Sequence, residues 1–153
     1  MKKFAEGEII TVDYGAMVEG YMSDITRNFA IGHIDDKARQ INAILLHAHK
    51  EAVKALRPGV SGQEVDAIAR KVISDAGYGE NFVHGLGHGL GLEVHEAPRL
   101  SKTSKDILQA GDVVTVEPGI YIEGWGGMRI EDDYLITENG ANPQSPIPKE
   151  KNE

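Results

Sequence analysis

The sequence predicts an α+β fold in which antiparallel hairpins pack beside two helices. Residues 36–56 and 62–76 carry apolar side chains at helical spacing, whereas residues 9–14 alternate in the manner of a strand. Glycine-rich turns join extended segments around residues 15–20 and again around residues 123–127. Because strands do not alternate regularly with helices, we expect hairpins rather than parallel strands joined by crossover helices.

Two helices are predicted between residues 35 and 77. The first has an apolar stripe, a capping residue at Asp35 or Asp36, and an end at Arg57-Pro58-Gly59. The second begins with Ser61-Gly62-Gln63-Glu64, which has the pattern of a capping box, and stops at Gly77. His47 and His49 lie two residues apart on the first helix, so they face different sides and are expected to be ordinary surface or packing residues.

Short strands are expected on either side of the helical region. Besides residues 9–14, extended segments are predicted at 21–31, 113–116, 121–122, 128–130 and 134–136. Residues 1–140 are therefore assigned to one domain. The remainder, 141–153, holds three of the six prolines and is predicted to be a flexible tail.

Composition narrows the functional class. The chain has 153 residues, 41% hydrophobic and 26% charged, which is typical of a globular domain. A net charge of −8 argues against nucleic acid as a partner, and no apolar run approaches the ~20 residues that would span a membrane. The absence of cysteine excludes disulfides and thiolate ligands, and it suits the cytoplasmic location that we expect.

Two predicted hairpins each present a pair of acids. Asp13 and Asp24 would face each other if the first turn were centred between Val18 and Glu19. Glu117 and Glu131 would do the same about a turn centred on Gly124. Opposed side chains lie about 5 Å apart, so two like charges there repel unless a cation compensates them. Either pair alone fits unrelated surface acids, but the repetition predicts a cation site.

The segment HGLGHGLGLEVHE, residues 84–96, holds three of the six histidines separated by glycines. We interpret the glycines as allowing the backbone to approach bound metal closely. One imidazole would then join four carboxylates, a ligand set that suits Mn²⁺, Co²⁺, Fe²⁺ or Zn²⁺. His84 has the alternative role of satisfying backbone groups in a glycine loop. Asp132 is expected beside the ligands or on the surface, and Asp133 on the surface.

In this order, VDYGAMVEGYMSDITR, HGLGHGLGLEVHE, TVEPGIYI and RIEDD resemble the metallopeptidases of the pita-bread fold. The resemblance is strongest to the Xaa-Pro aminopeptidase and prolidase branch, and it covers about residues 5–140. It implies a curved antiparallel sheet covered by helices, two divalent ions with Mn²⁺ preferred, and a peptide or dipeptide substrate with proline after the scissile bond. It also suggests a homodimer.

The resemblance further implies a role for each matching residue. The metal ligands would be Asp13, Asp24, His88, Glu117 and Glu131, with Asp24 and Glu131 bridging both ions. His84 and His95 would act in catalysis and line the substrate pocket, and Glu117 would handle the proton of a metal-bridging hydroxide. Arg129 would orient Glu131 or bind a substrate carboxylate.

Two alternatives stay open at this point. Methionine-aminopeptidase-like specificity is one, although those enzymes usually lack the first histidine of an HGxGHGxG run. The other is a non-catalytic metal-binding domain. Catalytic domains of the family begin well before the strand of the first aspartate, so we expect the corresponding amino-terminal segment, with one further active-site histidine, to be missing here.

Overall fold

The computed structural model describes residues 2–145 and 147–149. Within them the chain forms two α-helices, one short 3₁₀ helix at Gly79–Asn81 and eleven strands. The helices are α1 (Asp36–Ala55) and α2 (Gly62–Asp75). The strands are β1 (Ile9–Tyr14), β2 (Met17–Val18), β3 (Tyr21–Met22), β4 (Ile25–Ala30), β5 (Gly87–Gly89), β6 (Glu96–Leu100), β7 (Val113–Val116), β8 (Gly119–Ile122), β9 (Gly126–Arg129), β10 (Asp132–Thr137) and β11 (Gly140–Pro143).

Both helices begin at the caps that the sequence predicts. The Asp35 side chain accepts a hydrogen bond from the backbone N–H of Ala38. Ser61 and Glu64 form a reciprocal capping box, which satisfies two backbone donors that the helix start leaves without partners. In the described part of the chain, neither helix has the length and apolar character needed to cross a membrane.

A five-stranded antiparallel sheet in the order β11-β10-β7-β5-β6 forms the centre of the molecule. The apolar stripes of α1 and α2 join the core with residues of this sheet, including Leu100, Val114 and Ile136, all at most 1% exposed. The hairpins β1–β4 and β8–β9 lie beside it, and an antiparallel bridge between Thr26 and Glu131 links β4 to the start of β10. Helices and hairpins together fix the positions of the predicted ligands.

The register of the β8–β9 hairpin is the one predicted. Gly119 pairs with Arg129 and Ile122 with Gly126, so the hairpin is centred on Gly124. Glu117 and Glu131 follow directly beyond this ladder. Because they continue the same register, their side chains approach each other.

The predicted register of the first hairpin is wrong by two residues. Asp13 pairs with Thr26, and Val18 pairs with Tyr21, so the turn consists of Glu19 and Gly20. Both turn residues have positive φ, 54° and 90°, as a tight two-residue hairpin turn requires. Asp24 is therefore a diagonal neighbour of Asp13, not its direct partner. A shift of two residues keeps a side chain on the same face of the sheet, so both acids still point the same way.

The predicted flexible tail differs from the structure over its described part. Residues 140–143 form β11, which pairs with β10, and Ser145 is 5% exposed. Arg27 donates hydrogen bonds to the carbonyls of Ile147 and Pro148. This segment thus packs on the domain through the pairing of β11 with β10 and through the hydrogen bonds from Arg27. The predicted tail residues 146 and 150–153 lie outside the described part.

Candidate metal centre

Five predicted ligands converge from five separate positions along the chain. Asp13 comes from β1, Asp24 precedes β4, and His88 lies in β5. Glu117 follows β7, and Glu131 lies between β9 and β10. The fold thus brings together in one cleft all five residues that the resemblance implied as ligands.

Ligand atoms in this cleft fall into overlapping triads whose members all lie within 4.8 Å of one another. One triad is Asp13, Asp24 and Glu131, and another is His88, Glu117 and Glu131. Glu131 belongs to both. A third triad joins Asp24 and His88 to His95. Two triads that share a carboxylate have the arrangement expected for two cations bridged by that carboxylate.

Glu131 occupies the most buried position of the cluster, with 2% of its surface exposed. The Thr26 hydroxyl donates a 2.5 Å hydrogen bond to its Oε2 atom. Burial and the nearby Glu117 carboxylate raise the pKa of Glu131 to about 8, and the Thr26 hydrogen bond opposes this only in part. Burying this carboxylate beside Glu117 is costly, so a cation here would stabilise it.

Asp24 is positioned by a buried acid that the sequence did not identify as important. The backbone N–H of Asp24 donates a 3.1 Å hydrogen bond to Asp133 Oδ2. Burial and the Asp13 carboxylate raise the pKa of Asp24, and burial raises the pKa of Asp133 to about 6. Asp133 is 3% exposed, so its predicted surface position is wrong. The reason is that β10 is an inner strand whose two faces are both covered.

His88 presents one ring nitrogen to the carboxylates. Its Nδ1 lies 3.0 Å from the carbonyl of Gly89, which leaves Nε2 directed at Glu117 Oε1, 3.2 Å away. Burial lowers the pKa of His88, but the hydrogen bonds to Glu117 and Gly89 outweigh it and the net pKa is raised. The Thr115 hydroxyl accepts from the backbone N–H of His88 at 3.0 Å and donates to Glu117 Oε1 at 3.2 Å. Thr115 therefore orients two ligands at once.

Arg129 is a cation in contact with three of the four carboxylates. It pairs with Asp13, and its Nε lies 3.6 Å from Glu131 Oε2 and 3.8 Å from Glu117 Oε2. Burial lowers the pKa of Arg129, yet its contacts with Tyr121, Glu131 and Asp13 raise it overall, so the guanidinium stays charged. One guanidinium compensates one of four carboxylates. The donor set, oxygen-rich with one imidazole, fits hard or borderline divalent cations.

The two further histidines, His84 and His95, both line a cavity that adjoins the cluster. The ring of His95 packs 4.2 Å from that of His88, measured between centroids, at the edge of a cleft of about 730 Å³ that contains all five ligands. His84 lines an adjoining cavity of about 310 Å³ with Arg99 and Ser101. Its Nε2 lies 3.0 Å from the Tyr121 hydroxyl. Both imidazoles thus border space that a substrate can enter.

Two glycines of the histidine segment, Gly87 and Gly89, are required by the close packing of neighbouring strands. A β-carbon on Gly87 would lie 2.1 Å from the carbonyl oxygen of Thr115, and one on Gly89 would lie 2.1 Å from that of Ala97. Both clashes are with neighbouring strands of the sheet. The glycines therefore allow β5 to pack between β6 and β7, which places the His88 side chain beside the carboxylates.

Three residues that touch the ligands escaped the sequence analysis as site residues: Thr26, Thr115 and Asp133. Threonine within a strand has no distinctive pattern, and Asp133 lies in an acidic run with Glu131 and Asp132. The bridge between Thr26 and Glu131 is the signal that identifies Thr26, and it exists only in the folded chain. His47 is exposed, whereas His49 is buried with its Nε2 atom 3.3 Å from Asp132 Oδ2.

An acid-rich centre of this kind, carried by paired hairpins, is typical of proteins that bind divalent metals through carboxylates. Residues 1–138 match the metallopeptidase family M24, and the chain belongs to that family. It is 50% identical over 140 residues to an Xaa-Pro dipeptidase of Pyrococcus furiosus. The match covers 92% of this chain and 40% of that relative, so the chain spans well under half of the relative's length.

Solved structures agree with this assignment. The prolidase of Pyrococcus horikoshii superposes with a TM-score of 0.95 at 46% identity, over 97% of this chain and 43% of the other. An X-Pro aminopeptidase of Thermotoga maritima gives a TM-score of 0.92 at 43% identity, over 95% and 41% of the two chains. The predicted pita-bread fold class is thereby confirmed.

Proposed function

We propose that this chain holds two divalent cations and provides the metal-binding part of a peptidase that hydrolyses the bond before a proline. The observation that carries the proposal is the sharing of Glu131 by two ligand triads within one cleft. Asp13, Asp24 and Glu131 would hold one cation, and His88, Glu117 and Glu131 the other, with Asp24 close enough to bridge. Mn²⁺ is the expected metal because the donors are mostly carboxylate oxygens.

Bound divalent cations would supply a nucleophilic water at neutral pH and a Lewis acid for the scissile carbonyl. The chain's own residues prepare the site for this chemistry. Thr26 fixes the Glu131 carboxylate, and Thr115 fixes Glu117 through Oε1. Glu117, whose Oε2 atom faces Arg129 Nε at 3.8 Å, would accept a proton from the attacking water and return it to the leaving amine.

Two imidazoles that line the same cavity would receive the substrate beside the cluster. His95 lies beside His88 at the cleft, where it can donate a hydrogen bond to the developing oxyanion. His84 faces the adjoining cavity with its Nε2 next to Tyr121, so it is placed to contact the residue after the scissile bond. The relatives named Xaa-Pro dipeptidase and prolidase support proline at that position.

Hydrolysis assays on the purified chain test this proposal. With added Mn²⁺, we expect release of proline from a Met-Pro dipeptide and no comparable cleavage of a Met-Ala peptide. Asp24→Asn should abolish the activity, whereas Asp36→Asn, an exposed acid in the first turn of α1, should leave it unchanged. Preferential cleavage of Met-Ala would favour methionine-aminopeptidase-like specificity. Metal binding without cleavage of either peptide would contradict the proposed activity of this chain and leave only metal binding.

A further inference from the structure

Behind the histidine segment, helix α2 carries an ion pair that faces inward. Arg70 Nε lies 2.8 Å from Asp66 Oδ2, and Arg70 Nη2 lies 2.9 Å from Asp66 Oδ1. Asp66 is 1% exposed, and the Arg70 side chain is 13% exposed. Two parallel hydrogen bonds between a guanidinium and a carboxylate fix both groups in one orientation, so the pair is a rigid unit.

The other hydrogen bonds of this pair are made with the backbone of residues 82–86. Arg70 Nη1 donates to the carbonyl of Phe82 at 2.8 Å, and Arg70 Nη2 donates to the carbonyl of His84 at 2.7 Å. Asp66 Oδ1 accepts from the backbone N–H of Leu86 at 3.0 Å. Three alternate residues of the segment that leads to the metal centre are thus held by two side chains of α2.

Packing holds the same segment in the same place. The Arg70 guanidinium lies 4.0 Å above the Phe82 ring, and that ring meets the His84 imidazole edge-on with 5.1 Å between centroids. Phe82 is 1% exposed. The His84 imidazole therefore packs against Phe82, with its Nδ1 2.7 Å from the carbonyl of Gly85 and its Nε2 3.0 Å from the Tyr121 hydroxyl, while Arg70 holds the backbone carbonyl of His84.

We infer that Asp66 and Arg70 are positioning residues that aim the His84 imidazole into the substrate cavity without taking part in metal binding. Neither residue touches a predicted ligand, and His88 has its own anchors in Thr115 and in the pairing of β5 with β7. The pair thus acts on substrate binding through His84. This inference rests on the proposed function, because His84 matters to catalysis only where a substrate enters.

The same helix offers a matched control. Lys71 and Asp75 form an ion pair at the same spacing of four residues, with Nζ 2.7 Å from Oδ2. Both side chains are largely exposed, at 73% and 63%. Removing Lys71 changes the helix charge by the same amount as removing Arg70 and leaves the histidine segment untouched.

The first test is hydrogen exchange followed by mass spectrometry on the Mn²⁺-loaded chain. In Arg70→Met and in the milder Arg70→Lys, we expect amides of residues 82–88 to exchange at least about tenfold faster, since charge-assisted hydrogen bonds are lost. Exchange elsewhere and the Mn²⁺ dissociation constant should stay within about threefold of the parent chain. Lys71→Met should alter neither. Unchanged exchange in both Arg70 variants, or acceleration spread over the whole chain, overturns the inference.

Kinetics then separate a positioning role from a merely structural one. For Met-Pro, Arg70→Met should raise KM about tenfold with a smaller change in kcat, and it should have no further effect in a His84→Ala background. Additive losses in the double variant contradict action through His84. If the parent chain binds Mn²⁺ but hydrolyses nothing, the proposed function fails, and the exchange result alone decides whether the pair fixes the segment.

Discussion

Thr26 and Glu131 face each other across an isolated antiparallel bridge, and the Thr26 hydroxyl donates directly to the Glu131 carboxylate. Arg129 Nε contacts the same hydroxyl at 3.1 Å. One threonine on the first hairpin thus orients the carboxylate of the second hairpin that is common to two candidate ligand triads. The two hairpins are joined at the candidate metal centre itself, so their relative position determines the geometry of the predicted ligands.

Thr26→Val should weaken metal binding with little loss of folding. Valine keeps the shape of the side chain but removes the hydroxyl, so Glu131 loses its orienting partner. Loss of such a partner typically costs about 10–100-fold in metal affinity. Calorimetric titration with Mn²⁺ measures the effect. Thr11→Val is the control, since the Thr11 hydroxyl on the same hairpin is exposed and bonds to Asn28. Equal affinities for both variants would contradict the role assigned to Thr26.

The stability of the metal-free chain should fall as the pH rises from about 5 to about 8. Glu131 has a pKa raised to about 8 in the folded chain, so between its unfolded value and pH 8 the folded state holds a proton that the unfolded state has lost. The resulting slope is up to about 1.4 kcal/mol per pH unit. Urea unfolding at several pH values should show a smaller slope for Glu131→Gln. An identical slope in that variant would contradict the raised pKa.

Arg27→Met should destabilise the fold strongly. Arg27 Nη2 lies 2.5 Å from Asp132 Oδ1, both side chains are at most 5% exposed, and Arg27 Nη1 also donates to the carbonyl of Glu131. Asp132 keeps Lys149 and His49 as partners in this variant, but it and the Glu131 carbonyl each lose a buried, charge-assisted hydrogen bond, and each such bond is worth about 1.5–3 kcal/mol. The measurement is the free energy of unfolding in urea. Arg39→Met, which removes an exposed pair with Asp36 at 3.8 Å, should cost under about 1 kcal/mol.

Gly89→Ala should disturb the candidate metal centre by displacing strand β5. Its β-carbon would meet the backbone of Ala97 at 2.1 Å, so β5 and β6 would have to separate and His88 would move. We expect the thermal midpoint to fall and Mn²⁺ affinity to drop. Gly91→Ala is the milder control, because the nearest atoms there belong to the Glu96 side chain, which can turn away. Equal effects of the two substitutions would show that strand spacing at Gly89 is unimportant.

The sequence predicts the features of this site that depend on local patterns better than those that depend on the folded chain. The caps at Asp35 and Ser61 and the register of Glu117 against Glu131 follow from local patterns, and the structure confirms them. The predicted pairing of Asp13 with Asp24 was wrong because Gly20 fits a turn centred between Val18 and Glu19 as well as one centred between Glu19 and Gly20. The positive φ angles of Glu19 and Gly20 distinguish the second turn from the first.

Burial was the least predictable property. Asp133 and Asp132 are adjacent and so point to opposite faces of β10, yet both are at most 3% exposed. A sequence shows alternation along a strand but not whether both faces are covered. On one of these faces, Asp132 is surrounded by Arg27, His49 and Lys149. Arg27 and His49 are each over 80 positions from Asp132 in the sequence, and Lys149 belongs to the last described segment of the chain. These interactions depend on tertiary structure and leave no local pattern.

The most direct test of the two-cation site is the number and coupling of bound Mn²⁺ ions. Titration of the metal-free chain, followed by equilibrium dialysis and low-temperature electron paramagnetic resonance, should give two Mn²⁺ per chain with the spectrum of an exchange-coupled pair. Glu131→Gln should reduce the stoichiometry and abolish the coupling, because it removes the carboxylate common to both triads. One ion per chain with an uncoupled spectrum, unchanged in Glu131→Gln, would contradict the shared-ligand centre.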